Sequence, residues 1–145
     1  MIGLLQRVSR AEVFVAQESV ARIDRGLLVL LGVQRSDDQA RADRLLDRLL
    51  TYRVFPDQAG KMNLSLLEIG GGLLLVPQFT LAADTRKGRR PGFSHAATPD
   101  VGHRLFYFLI DKARGCGIDL SRGWFGSDII VSLVIVGSVT FLLES

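Results

Sequence analysis

The chain has 145 residues, of which 48% are hydrophobic and 23% are charged, and its mean hydropathy is slightly positive. This composition excludes a disordered chain, and the length predicts one globular domain that spans residues 1–145. The 18 lysine and arginine residues outnumber the 15 acidic ones and give a net charge of +3, which is compatible with an anionic partner without requiring one.

Three strands are predicted before any helix. Ile2 to Val8 is mostly apolar, and Ala11 to Ala16 alternates as a half-buried strand does. Gly26 to Val33 is a continuous apolar run, which is typical of a strand buried on both faces.

An amphipathic helix is predicted after these strands. Ser36 and Gln39 have the spacing of a capping box, and Asp37 and Asp38 suit the positive end of the helix dipole that follows. Apolar residues then recur at helical spacing, with charged residues between them. These apolar residues are Ala42, Leu45, Leu46, Leu49 and Leu50.

The middle of the chain combines turns with one long apolar segment. Pro56 to Gly60 predicts a turn, while Lys61 to Leu67 is too short and mixed to assign. Three glycines at 70–72 break the chain before Leu73 to Leu81, which is rich in strand-forming residues. Because proline has no amide proton, Pro77 must lie at an edge, at a bulge or at the end of the pairing.

A second helix is predicted from the pair Thr98 and Pro99. Thr98 is suited to the N-cap, and proline is favoured at the first helical position that follows it. An apolar face containing Leu105 and Leu109 continues towards Gly115. The segment therefore predicts a second helix.

The last part of the chain predicts two strands, Ile129 to Val136 and Val139 to Leu143. Gly137 and Ser138 separate them, and glycine at the first central position suits a type II′ hairpin. The complete order of elements predicts an α+β fold with a mostly antiparallel sheet and two main helices.

The apolar segment near the C-terminus also indicates whether a membrane location is expected. The uncharged stretch from Ile129 to Leu143 is 15 residues long. It is therefore shorter than the roughly 20 residues that a membrane-spanning helix needs. The N-terminal residues lack the basic region and apolar run of a secretory signal, and the lone Cys116 cannot form an internal disulfide. A cytoplasmic location and no membrane contact are expected.

Common catalytic and cofactor motifs are missing from the sequence. Ser94 and His95 lack the G-x-S-x-G turn of a serine hydrolase, and His103 has no cysteine or histidine partner at metal-binding spacing. The glycines at 70–72 precede a strand, whereas a phosphate-binding loop needs glycines before a helix. Neither a metal nor a cofactor is predicted.

A basic cluster lies in the segment TRKGRRPGF, where glycine and proline indicate a loop. Two interpretations remain open from the residues alone. The cluster is either an ordinary solvated loop or a surface that contacts the phosphates of a nucleic acid. Its members are Arg86, Lys87, Arg89 and Arg90.

Several segments along the whole chain resemble those of the bacterial D-aminoacyl-tRNA deacylase family. The resemblance implies a homodimer with a β-barrel-like α+β fold and an active site at the dimer interface. It also implies hydrolysis of the ester between tRNA and a D-amino acid, or glycine carried wrongly by the alanine tRNA. The segments are Met1 to Ser9, Gly26 to Val33, Tyr52 to Phe55, Gly60 to Ser65, Gln78 to Thr85, Arg90 to Phe93 and Val131 to Phe141.

The resemblance also implies which residues form the site. A family motif Ser-Gln-Phe-Thr-Leu is matched by Pro77 to Leu81, where the backbone near Phe79 and Thr80 would hold the ester carbonyl. A second motif, Gly-Pro-Val-Thr, would enter from the partner subunit and exclude L-amino acids. The implied residues are Gln78, Phe79 and Thr80 for catalysis, Arg7, Pro77, Gly137, Ser138, Val139 and Thr140 for substrate binding, and the basic cluster for tRNA.

The sequence departs from the family pattern within both motifs. Pro77 replaces a serine, Ser138 replaces a proline, and Ile135 and Val136 replace an Asn-Asp pair. Two alternatives to a D-specific deacylase therefore stay open. One is a deacylase of altered chirality that acts on L-alanyl-tRNA, and the other is a non-catalytic relative that only binds tRNA.

Overall fold

The computed structural model describes all residues from Met1 to Ser145. The strands are β1 (Ile2–Val15), β2 (Glu18–Ile23), β3 (Gly26–Gly32), β4 (Phe55–Pro56), β5 (Met62–Leu64), β6 (Gly72–Pro77), β7 (Asp119–Arg122) and β8 (Ile129–Glu144). The helices are α1 (Gln39–Thr51), α2 (Leu66–Ile69) and α3 (Pro99–Arg114), and a 3₁₀ turn covers Phe79–Ala82. None of the helices has the length and apolar character needed to cross a bilayer.

Strand β1 organises the main sheet. One of its edges pairs antiparallel with β3 in its first half and with β2 in its second half, and the other edge pairs with β8. β6 and β7 extend the sheet through two parallel pairings. The Ser121 hydroxyl on β7 donates to the Arg22 carbonyl on β2 at 3.0 Å, so the sheet curls into a nearly closed barrel. The predicted α+β class and mostly antiparallel sheet are confirmed.

Two hydrophobic cores lie on opposite faces of this sheet. The larger core holds Leu5, Leu27 and Leu73 on the face covered by α1 and α3. The smaller core holds Val8, Leu28 and Leu74 on the inner face of the barrel. The central strands β3 and β6 contribute neighbouring residues to both cores, which explains why their sequences are continuously apolar.

The two strands predicted at the N-terminus are a single strand. Ser9 and Arg10 are exposed, but pairing with β8 continues on both sides of them and keeps the backbone extended. The sequence does not predict strand β2, because its hairpin turn carries no usual turn residue. Ala16 and Gln17 form that turn with φ of 48° and 66°, where asparagine or glycine is normally favoured.

Helix α1 is confirmed, and all five of its predicted apolar residues are buried. The predicted capping box is wrong, because Asp38 is the N-cap and accepts from the Arg41 amide at 2.9 Å. Asp37 instead lies buried and binds the Met1 ammonium group at 2.5 Å. Helix α3 is confirmed with Pro99 in its first turn.

The segment left unassigned in the middle of the chain forms β5 and α2. Ser65 and Glu68 make a reciprocal capping box that begins α2, and these hydrogen bonds from Ser65 lower the pKa of Glu68. The predicted strand from Leu73 to Leu81 is too long. Strand β6 ends at Pro77, because the Gln78 amide donates to the Leu31 carbonyl and the chain then turns.

The predicted C-terminal hairpin is also wrong. β8 is one strand whose two halves both pair with β1, with Thr140 opposite Gln6 and Ile135 opposite Val8. The intervening residues 136–139 therefore lie opposite Arg7 alone and form a bulge. We call residues 136–139 the β8 bulge. Gly137 and Ser138 have φ of 75° and 31°, and the peptide bond between them is trans.

Candidate active site

The turn that follows β6 presents two free backbone donors. We call Gln78 to Leu81 the 78–81 turn. Its first internal hydrogen bond runs from the Leu81 amide to the Gln78 carbonyl at 3.2 Å. The amides of Phe79 and Thr80 precede that bond and have no hydrogen-bond partner in the protein. Adjacent unpaired amides on a 3₁₀ turn are suited to binding an oxygen that carries negative charge.

The polar side chains of this turn bind each other. The Gln78 side-chain amide donates to the Thr80 hydroxyl, which has no other protein partner. No histidine, lysine or carboxylate contacts that hydroxyl, so the threonine has no base to activate it as a nucleophile. The chemistry available at the turn is therefore that of hydrogen-bond donors.

Gly32 at the end of β3 positions the 78–81 turn. A β-carbon at Gly32 would lie 2.8 Å from the Leu81 side chain and 3.3 Å from the Gln78 carbonyl. Only glycine allows the turn to pack this closely on β3. Sequence reasoning included Gly32 in a buried strand and did not connect it with the site, because nothing local distinguishes it from a strand residue.

Phe79 and Phe93 form an exposed aromatic pair beside the turn. Phe79 is 61% exposed and Phe93 is 41% exposed, and their ring centroids lie 5.3 Å apart. Two exposed aromatic rings in contact form an apolar patch, and such patches are candidate sites for a ligand or a partner. In the sequence Phe93 stands out only as the end of the segment Arg90 to Phe93, and the tertiary structure alone places it against Phe79.

The basic cluster lies on a loop closed at its base by Asp84 and Gly92. We call residues 84–92 the basic loop. The backbones of these two residues exchange hydrogen bonds of 2.7 and 2.9 Å. The Arg86 guanidinium donates to the Asp84 carboxylate, and these hydrogen bonds hold the pKa of Asp84 far below its usual range. The other three cations, Lys87, Arg89 and Arg90, are exposed and make no ion pair.

Arg7 holds the β8 bulge from the neighbouring strand. Its Nε donates to the Val136 carbonyl at 3.1 Å, and its Nη1 donates to the Val54 carbonyl at 2.6 Å. A cleft of about 270 Å³ opens beside this contact, with Arg25 and Phe55 among its lining residues. One guanidinium therefore joins the start of the bulge to the segment that follows α1.

Within one chain the structure separates the two candidate motifs. Arg7, opposite the bulge, pairs with Leu27 on β3, whereas the 78–81 turn follows Pro77, which pairs with Leu31. Four residues along β3 correspond to about 13 Å at the usual rise of a strand. The bulge and the turn of the same chain therefore lie level with opposite ends of β3.

Strand β8 leaves one apolar edge uncovered. It pairs only with β1, so its other edge has no strand partner within the chain. Large apolar side chains on this strand are exposed, which is typical of a surface that another chain covers. They include Ile130, Val134, Ile135, Val136 and Leu142.

The two histidines lie outside the 78–81 turn. His95 lies 3.7 Å from the Asp84 carboxylate, and the His103 ring packs against Tyr107 and Phe125 on the surface of α3. No three His, Cys, Asp or Glu side chains are grouped so that they could hold a metal ion. The chain itself therefore offers only backbone amides, two polar side chains and exposed cations near the turn.

Comparisons of the sequence with known proteins match one family of tRNA deacylases. The family model for D-Tyr-tRNA(Tyr) deacylase matches residues 4–144. The D-aminoacyl-tRNA deacylase of Stutzerimonas stutzeri (strain A1501) is 61% identical over 145 residues, which are 100% of both chains. The D-aminoacyl-tRNA deacylase of Alkalilimnicola ehrlichii is 57% identical and is matched over 97% of its length.

Solved structures share the same fold. A structure described as the c-Myc DNA unwinding element binding protein superimposes with a TM-score of 0.95, at 32% identity, over 100% of this chain and 99% of that one. A probable eukaryotic D-amino acid tRNA deacylase superimposes with a TM-score of 0.89 at 19% identity, over 99% and 98% of the two chains. The second similarity shows the fold alone.

Proposed function

Because this chain belongs to the D-Tyr-tRNA(Tyr) deacylase family, it is a hydrolase of D-aminoacyl-tRNA, and we propose that the 78–81 turn is its catalytic centre. The reaction releases a free amino acid and tRNA. In this proposal residues 1–145 act as one domain in the cytoplasm, where aminoacyl-tRNA is made and used.

The free amides of Phe79 and Thr80 are the observation that carries this proposal. Hydrolysis of an ester passes through a tetrahedral intermediate whose oxygen becomes negatively charged. Two unpaired amides on a turn that packs closely against Gly32 are prearranged for that oxygen. Removing one such donor from a known hydrolase costs about 3 kcal/mol of transition-state stabilisation.

Attack by water completes the mechanism without a protein nucleophile. Thr80 has no adjacent base, and the aminoacyl ester of a ribose is already an activated ester. The ribose hydroxyl next to the ester is placed by the substrate itself to position the water and to relay its proton to the departing ribose oxygen. The enzyme then supplies the oxyanion site and the orientation of the substrate.

We propose that the active enzyme is a homodimer in which each 78–81 turn receives the β8 bulge of the partner subunit. Two observations support this arrangement. The apolar side of β8 is uncovered in one chain, and the bulge is offset from its own turn by about 13 Å along the strand direction. A twofold axis would give both turns the same environment.

The bulge would act as the chiral filter. Arg7 holds its first carbonyl, and backbone atoms around Gly137 would occupy the space that the side chain of an L-amino acid needs. Glycine has no side chain to exclude, so glycine on the alanine tRNA would also be cleaved. Ser138 replaces the family's proline here, and the bulge backbone keeps a fixed shape through Arg7 instead.

The basic loop and the aromatic pair would bind the end of tRNA. Exposed cations neutralise phosphates, and exposed aromatic rings stack on unpaired bases. Phe79 belongs to the 78–81 turn and Phe93 follows the loop. If the terminal base stacks there, the aminoacyl ester on the ribose of the same nucleotide would reach the free amides of Phe79 and Thr80.

Single-turnover hydrolysis tests the substrate assignment. D-tyrosyl-tRNA and glycyl-tRNA for alanine are expected to be cleaved, while L-tyrosyl-tRNA is spared. Equal cleavage of the D- and L-tyrosyl esters would contradict the chiral filter. Cleavage of L-alanyl-tRNA with D-tyrosyl-tRNA left intact would identify a deacylase of altered chirality instead.

Subunit complementation tests the shared site. Thr80→Pro deletes an amide donor of the turn, and Gly137→Val obstructs the bulge, so each homodimer is expected to be inactive. Unfolding and refolding the two variants together produces mixed dimers with one intact site, and about a quarter of wild-type activity is expected. A mixture that stays inactive, although mixed dimers form, would contradict a site made by two subunits.

A further inference from the structure

We propose that Arg86 is a structural clamp of the basic loop and not a contact for tRNA, and that Asp84 is a positioning residue for this loop. The inference rests on the proposed function, since it divides the four cations of the proposed tRNA surface into two classes. Sequence gives no basis for that division, because Arg86 and Arg89 are the same residue type in one segment.

The clamp is a two-pronged ion pair. Arg86 Nε and Nη2 donate to the two carboxylate oxygens of Asp84 at 2.8 and 2.7 Å, and the Arg86 backbone amide donates to the same carboxylate at 3.1 Å. This paired geometry is the strongest that arginine and a carboxylate form. Asp84 thus occupies two donors of the guanidinium at once.

The same residue closes the base of the loop. The Asp84 and Gly92 backbones exchange two hydrogen bonds. The residue that binds the Arg86 guanidinium is therefore also one of the two residues that close the loop. His95, three residues after Gly92 in the chain, has its Nε2 3.7 Å from the same Asp84 carboxylate. Arg86 holds the pKa of Asp84 well below its usual range, so the carboxylate is charged at neutral pH.

Arg86 differs from the other three cations of the loop because Asp84 neutralises its charge. An arginine already paired with a carboxylate contributes little net charge towards a phosphate, and therefore releases few counterions when a nucleic acid binds. Lys87, Arg89 and Arg90 have no such partner. Gly88, which lies between Arg86 and the last two arginines, has a φ of 71°.

The clamp also connects to the 78–81 turn. Gly92, which pairs with Asp84, is followed by Phe93, and that ring contacts Phe79 at 5.3 Å between centroids. A loop released from Asp84 would leave Phe93 less well placed against Phe79. Asp84 therefore positions Phe93 against Phe79 at the closing end of the loop.

The test measures tRNA affinity against salt concentration. The variants are Arg86→Gln, Arg89→Gln and Asp84→Asn, with Arg22→Gln as the control because Arg22 forms an exposed pair with Asp24 elsewhere. Each lost phosphate contact flattens the plot of log Kd against log salt by about 0.7 to 0.9. We expect that flattening for Arg89→Gln and an unchanged slope for Arg86→Gln. Asp84→Asn should steepen the slope, since it frees Arg86.

Amide hydrogen exchange separates the clamp from tRNA binding. In free protein, Arg86→Gln and Asp84→Asn should speed exchange at the Gly92 amide, while Arg89→Gln and Arg22→Gln should not. Exchange unchanged by the first two variants, or a slope flattened equally by Arg86→Gln and Arg89→Gln, would overturn the clamp. A clamp supported by exchange but with no slope change for Arg89→Gln would instead refute tRNA binding by the loop.

Discussion

Arg7 donates from Nε to the carbonyl of Val136 at 3.1 Å, so one side chain of β1 holds the first residue of the β8 bulge. Arg7→Ala removes this bond and the bond to Val54, and charged hydrogen bonds of this kind contribute about 1.5 to 3 kcal/mol each. We expect a lower free energy of unfolding and a lower kcat/KM for D-aminoacyl-tRNA.

Arg10→Ala is the matched control for Arg7, because Arg10 is an exposed arginine on the same strand. Denaturant unfolding and single-turnover hydrolysis measure the two effects. An Arg7→Ala enzyme that discriminates D- from L-aminoacyl-tRNA as well as the Arg10→Ala enzyme would show that the bulge needs no support from Arg7.

A methyl group at Gly137 should disturb the bulge more than one at Gly117. Both glycines have positive φ, 75° and 69°, so alanine is strained by about 1 to 2 kcal/mol at either position. A β-carbon at Gly137 would also collide with Arg7 Nη2, whereas nothing lies within 4 Å of one at Gly117. Gly137→Ala is therefore expected to lower activity and Gly117→Ala to lower only stability. Equal activities would remove the bulge from the site.

Thr80→Ala should lose less than about tenfold of the single-turnover rate, because a hydroxyl without a base is not a nucleophile. A substrate that carries 2′-deoxyadenosine at its end, charged on the 3′-hydroxyl, should lose much more. Single-turnover rates for both changes decide between the mechanisms. A loss of about 10⁴ for Thr80→Ala, with normal cleavage of the deoxy substrate, would indicate covalent catalysis.

Asp37→Asn should lower the free energy of unfolding by about 3 to 5 kcal/mol, because it leaves the buried Met1 ammonium group without its counter-charge. Asp43→Asn is the control, since its pair with Lys112 spans 3.8 Å between half-exposed side chains and should contribute less than about 1 kcal/mol. Urea unfolding measures both variants. Equal midpoints would contradict a structural role for the buried pair.

Ile130→Lys should weaken the proposed dimer, since a charge would then lie on the apolar edge of β8. Met62→Lys is the control, because Met62 is another exposed apolar residue, on β5 and away from that edge. Light scattering over a range of concentrations measures the association. A monomer for the wild-type chain, or equal association of the two variants, would refute the interface.

Elements with a local pattern were predictable from the sequence. Helices α1 and α3 follow from apolar residues at helical spacing and from residues that begin a helix, and β3 follows from a continuous apolar run. The resemblance to the deacylase family also rests on short segments, so it needs no tertiary information. These features depend on neighbours within a few residues, and patterns of that range can be predicted from the sequence alone.

Long-range pairing decided the remaining features. Whether Gly137 and Ser138 form a hairpin or a bulge depends on the partner of each half of β8, and both halves pair with β1. The role of Arg86 depends on Asp84, and the place of Gly32 depends on the 78–81 turn that packs against it. The same residue types occur nearby with other roles, so only the tertiary contacts, which set distance and burial, distinguish them.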